Sequence, residues 1–153
     1  MTTHDTHDMM RYDPATAPVP DKRLALDEAQ RLEIVSAHHR RTRAQLPNAQ
    51  LHAAFHVIVE NQLAEGIDLV GETLDRLRAE GLDRHDAIHA IGSALVGHVR
   101  DLLQTGAKKP DSHEPYFQAL RSLTASGWLE EAGTITTGRK KIPSGTARTR
   151  PHP

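Results

Sequence analysis

Read for the recurrence of apolar positions, the chain divides into a middle built of helices and two ends with no period. Between residues 25 and 132 the apolar residues return every three or four positions, and no stretch alternates as a strand would. Five helices are predicted. The first is capped by Asp27 with Gln30 three residues on, a capping-box pattern. It carries Leu32, Val35 and His39 in helical spacing towards Leu46, and Pro47 ends it. Asn48 caps the second, which runs to about Ala64 with Leu51, Phe55, Ile58 and Val59 as its apolar stripe, and Gly66 stops it. The third starts near Asp68, buries Leu69, Thr73, Leu74 and Leu77, and has Gly81 as its C′ residue. Asp83 caps the fourth and longest, whose core face is Ile88, Ile91, Leu95, Val99 and Leu102, up to Thr105 and Gly106. Asp111 or Ser112 starts the fifth, with Pro115 in its first turn and Tyr116, Leu120 and Leu123 on one face. Trp128 and Leu129 are expected to fold back onto the bundle.

The expected architecture is all-α, a small antiparallel bundle of four to five helices. Residues 1–24 are polar and hold Pro14, Pro18 and Pro20, which reads as a disordered arm. Residues 133–153 read as a disordered basic tail with Arg139, Lys140, Lys141, Arg148 and Arg150, solvated rather than bound to an anionic partner. Short loops join the second, third and fourth helices, so neighbours should be antiparallel and the second and fourth should run the same way.

Composition narrows this picture. Only 3% of residues are aromatic, so the core is aliphatic. Net charge is −1, from 19 basic and 20 acidic residues, which gives no global field for nucleic acid or membranes. The absence of cysteine removes disulfides, thiolate metal sites and thiol catalysis. No apolar run reaches the length of a membrane span or a signal peptide, so a cytoplasmic protein is expected. No phosphate loop or nucleotide fingerprint is present.

Histidine changes the picture most, with 11 in the chain. His52 and His56, and again His85 and His89, lie four residues apart on predicted helices, with Glu60 in register after the first pair. At about 100° per residue these rows border the two apolar stripes. If the helices face each other, four imidazoles and one carboxylate converge, a donor set suited to a transition metal. The candidate ligands are His52, His56, Glu60, His85 and His89. Zinc or iron leads, ahead of nickel or manganese. Gly92, in the row of His85 and His89, leaves room for a backbone or ligand. Asn61 and Gln62 are candidates to orient ligands. His85-Asp86-Ala87-Ile88-His89 is one methylene from the HExxH of zinc hydrolases, but Asp86 in a first helical turn also suits the helix dipole. His38-His39-Arg40-Arg41 reads as a solvated basic turn, and His98 points away from the paired histidines.

The stretch Asn48-Ala49-Gln50-Leu51-His52-Ala53-Ala54-Phe55-His56, followed by Glu60-Asn61-Gln62-Leu63-Ala64, resembles the bacterial DUF1841 family of unknown function. Members carry a similar N-P-x-L-H-x-x-x-H segment and a glutamine–leucine step. The resemblance continues at His85 to His89, where the family has an H-x-x-x-H-like segment, and reaches Pro110-Asp111 and Tyr116, covering roughly residues 46–124. Ala49 stands where the family has proline, and the N-terminal third departs from the pattern. The resemblance implies a small, cytoplasmic, mostly helical bacterial protein and no activity. Whether the chain is an enzyme stays open. The alternative to metal binding is a non-catalytic interaction module with structural histidines and an unknown protein partner. Oligomeric state has no signal in the sequence.

Overall fold

The computed structural model describes residues 11–42, 48–105 and 113–136, and the described residues form helices and connecting turns without a strand. There are seven helices among them: α1 (Pro20–Leu24), α2 (Glu28–Arg41), α3 (Ala49–Ala64), α4 (Asp68–Ala79), α5 (Arg84–Thr105), α6 (Glu114–Ser122) and α7 (Ala125–Thr136). The all-α class holds, with α1 and α7 added to the five expected. Pro47, Gly106, Asp111, Ser112 and the basic residues from Arg139 to Arg150 lie outside the described residues. No described helix is long and apolar enough to cross a membrane.

Local chemistry sets the helix ends. The Asp27 side chain accepts the Gln30 N–H at 2.8 Å while the Gln30 side chain accepts the Asp27 N–H at 2.9 Å, the reciprocal box that starts α2. Asn48 accepts the Leu51 N–H at 3.0 Å, and Asp83 accepts the Asp86 N–H at 2.8 Å. Both α3 and α4 end in a Schellman turn on a glycine of positive φ. After α3, Ile67 N–H reaches the Gln62 carbonyl and Gly66 (φ 73°) that of Leu63. After α4, Leu82 N–H reaches Leu77 and Gly81 (φ 111°) reaches Arg78, which brings Leu82 and Leu77 together in the core.

The main core gathers Val59, Val70, Leu74, Leu77, Ile88, Ile91, Leu95, Tyr116 and Leu120, with Phe55 and Trp128 packed at its edge. Leu129 stays exposed. A smaller cluster of Tyr12, Val35, Ala53 and Val57 lies between α2, α3 and the segment before α1. Gly92 faces α3: a Cβ there would meet Phe55 Cβ at 3.8 Å, an ordinary van der Waals contact.

Three expectations need correction. The first is direction. His56 meets His89, Glu60 meets Arg84, and Phe55 meets Gly92. Numbers rise along α3 as they fall along α5, so these helices are antiparallel. The two short turns flanking α4 therefore reverse the chain only once between them, and α3 and α5 pack directly on each other as well as on α4.

The second is facing. Of the expected stripe of α3, Val59 is buried and Phe55 packs on the core, but Leu51 and Ile58 are exposed, while Ala53, His56, Val57 and Glu60 are buried. Apolar residues occupy nearly every side of α3, so periodicity alone points to no unique inner face. On α5, Val99 and Leu102 are likewise exposed, because the core ends at Leu95 and His98.

The third is the arm 1–24, which is folded from residue 11 onward. Tyr12 and Arg23 are both buried. Arg23 donates to Asn61 Oδ1 at 3.2 Å and to the Val57 carbonyl at 3.3 Å, and Arg41 donates to the Tyr12 carbonyl at 3.2 Å. Isolated anchors of this kind have no period to detect. At the other end α7 runs past the expected boundary at 132.

Candidate metal centre

Three helices bring five imidazoles together. His39 comes from the last turn of α2, His52 and His56 from α3, and His85 and His89 from the first turns of α5. The antiparallel pairing of α3 and α5 sets the two HxxxH rows face to face. His56 Nε2 stands 3.1 Å from His52 Nε2 and 2.9 Å from His89 Nε2. The rings of His85 and His89 are 4.2 Å apart, and His39 stands 4.8 Å from His52 and 5.1 Å from His56. Two groups could hold a metal ion: His39 with His52 and His56, and His56 with His85 and His89, each with ligand atoms within 4.8 Å of one another.

Glu60 belongs to the layer behind the imidazoles, not to the donor set. Arg84 donates to both of its oxygens at 2.8 Å, and Tyr12 donates to Oε1 at 2.8 Å. The expectation of Glu60 as a fifth ligand failed because Arg84, at the very start of α5, is brought opposite it only by the antiparallel pairing. His39 takes the fifth place. It follows Val35 at helical spacing, and both are buried. The adjacent basic residues disguised that signal as a solvated turn. His38 remains at the edge, with its ring 5.7 Å from Tyr12 and 6.2 Å from His85.

The Tyr12 hydrogen bonds fix the chemistry of His56. Its phenol proton is given to Glu60, so its oxygen accepts from His56 Nδ1, 3.0 Å away. Burial, then the Glu60 carboxylate, keep the phenol protonated well above the usual tyrosine range. With Nδ1 bearing the proton, His56 Nε2 presents a bare lone pair to the Nε2 atoms of both His52 and His89. One lone pair has one direction and accepts one N–H well. Ligands about 2.0–2.1 Å from a metal ion lie about 3.0–3.4 Å apart, close to the spacings seen. Among the described residues, both ring nitrogens of His39, and Nε2 of His85, are buried without a hydrogen-bond partner. A buried polar atom left so costs about 1–3 kcal/mol, and a bound ion would satisfy it.

Electrostatics keep the lone pairs free. Burial first, then neighbouring imidazoles, push His56 down to about 2, His89 to about 3 and His39 to about 4. His52 is lowered by the same causes. At neutral pH these four are neutral, the form that binds metal.

Other candidates lie elsewhere. Asn61 accepts from Arg23, and Gln62 Oε1 accepts the Tyr116 hydroxyl at 2.8 Å, so neither orients a histidine. His98 is buried beside Tyr116, with ring centroids 6.0 Å apart. Asp86 sits in the capped first turn of α5 through its own N–H. No family model, curated protein or solved structure matches the chain.

Proposed function

We propose that the chain binds one transition-metal ion through a histidine triad built on His56, completed either by His85 and His89 or by His39 and His52. The observation that carries this is the convergence of two Nε2 atoms on the bare lone pair of His56. Neutral imidazoles favour zinc, iron, nickel or copper over magnesium or calcium, which take oxygen ligands. Zinc and iron lead. Because His56 offers a single lone pair to both groups, the cluster holds one ion and not two. Such an ion supplies Lewis acidity or an activated water where a position stays open. The residues around it bury the site and hold His56 in one tautomer. Membership in the DUF1841 family belongs to the same proposal and supplies no reaction of its own.

Elemental analysis of the chain purified without a histidine tag is expected to find about one ion per chain. The His56→Ala/His89→Ala variant should lose both the ion and the thermal shift that added metal gives the wild type. A wild-type chain with no bound metal, and no shift with zinc, iron, nickel or manganese, would end this reading. Tyr12→Phe keeps every imidazole but removes the group that orients His56. Its metal affinity should fall about 10- to 100-fold, the usual effect of losing a partner of a ligand. Competition against a chromophoric chelator measures this, and equal affinities would refute the relay.

A further inference from the structure

An imidazole ligand binds through a neutral nitrogen, so a histidine site leaves a divalent ion with its full charge. The carboxylate behind the imidazoles does not offset it, since both oxygens of Glu60 are already held by Arg84. An ion in such surroundings attracts an anion to any open position.

A cavity of about 530 Å³ opens against the same cluster. That volume lies in the range of about 300–1,000 Å³ usual for small-molecule sites. His85 belongs to both: its ring packs on His89, and it lines the cavity. Its Nε2 is buried with no hydrogen-bond partner among the described residues.

The charges on the cavity wall are unevenly free. Asp13 and Asp83 line it, but each has an oxygen accepting a backbone N–H, from Ala15 at 2.9 Å and from Asp86 at 2.8 Å. Arg84 is committed to Glu60 and to the Pro14 carbonyl. Arg78, in the last turn of α4, lines the cavity and is exposed, and His38 and Thr42 line it as well. The Thr42 hydroxyl already donates to the His38 and His39 carbonyls, so the wall offers the Arg78 guanidinium beside the metal cluster, the group that pairs with an oxyanion.

Resting on the metal reading above, we propose that the centre takes a small oxyanion, a carboxylate or phosphate group, through this cavity, with Arg78 holding it at the rim. The ligand's oxygen completes the coordination of the metal beside His85.

The metal-depleted full chain loaded with one equivalent of cobalt(II) tests this, because the visible spectrum of cobalt reports its ligands directly. Acetate and phosphate are expected to shift the spectrum saturably, while neutral acetamide leaves it unchanged. Arg78→Ala should bind cobalt with the wild-type spectrum and stoichiometry but hold the better of the two anions about tenfold more weakly, equivalent to about 1.4 kcal/mol. A chain that takes up no cobalt ends the metal reading and this one together. A chain that takes up cobalt and whose spectrum neither anion alters ends this one alone, as does an Arg78→Ala variant with undiminished anion affinity.

Discussion

Arg84→Ala is expected to destabilise the fold by about 3–5 kcal/mol, the usual cost of removing one partner from a buried ion pair. Arg84 and Glu60 are almost wholly withdrawn from water, with side-chain exposures of 5% and 0%. The substitution strands the Glu60 carboxylate with Tyr12 as its remaining hydrogen-bond donor and leaves the Pro14 carbonyl without Arg84. A loss of this size takes up a large share of the stability of a small domain, about 5–15 kcal/mol. The double variant Glu60→Leu/Arg84→Met should be far less damaging, because it removes both charges together. Denaturant unfolding of the three proteins measures both terms. If Arg84→Ala costs less than about 1 kcal/mol, the size of an exposed pair, the pair does not anchor α5 to α3.

Acid should unfold the metal-free chain sharply. His39, His56 and His89 are held neutral in the fold down to about 4, 2 and 3, whereas each takes a proton near 6.5 once unfolded. Below 6.5 the unfolded chain therefore binds more protons than the folded one, and stability falls as pH falls. By pH 5 each imidazole withdraws about 2 kcal/mol. Three of them reach an upper bound of about 6 kcal/mol, comparable with the whole stability of the domain. The decline flattens first for His39, near pH 4, and last for His56. Circular dichroism across an acid titration follows this. A helical signal constant from pH 7 to about pH 4 would contradict the neutral cluster. Saturation with zinc should move the transition to lower pH, since metal and proton compete for the same nitrogens.

The helices were legible because their ends are written in local chemistry. Asp27 with Gln30, Asn48, Asp83, Gly66 and Gly81 each act within a few residues of themselves. The four paired histidines were legible because spacing along one helix fixes their common side. What the sequence concealed depends on contacts between distant segments. Glu60 looks like a ligand until Arg84 is known to lie across from it. The direction of α5 relative to α3 depends on how far each short turn bends, which no residue pattern states. Leu51 and Ile58 look like core because α3 is apolar on most sides, so the packing of α2, α4 and α5 decided its inner face. Tyr12 gave no signal at all: a single aromatic residue in a polar, proline-containing stretch has no periodic companions. Its role follows only from its position between His56 and Glu60.

The five imidazoles come from α2, α3 and α5 in a chain without cysteine. An ion held among them would act as a cross-link, closing the loop between α3 and either α5 or α2 much as a disulfide does. Unlike a disulfide, this staple would hold no sulfur–sulfur bond for a reductant to break. Its strength would follow the supply of free metal, so that a chelator, and not a reductant, would be the agent that loosens the fold.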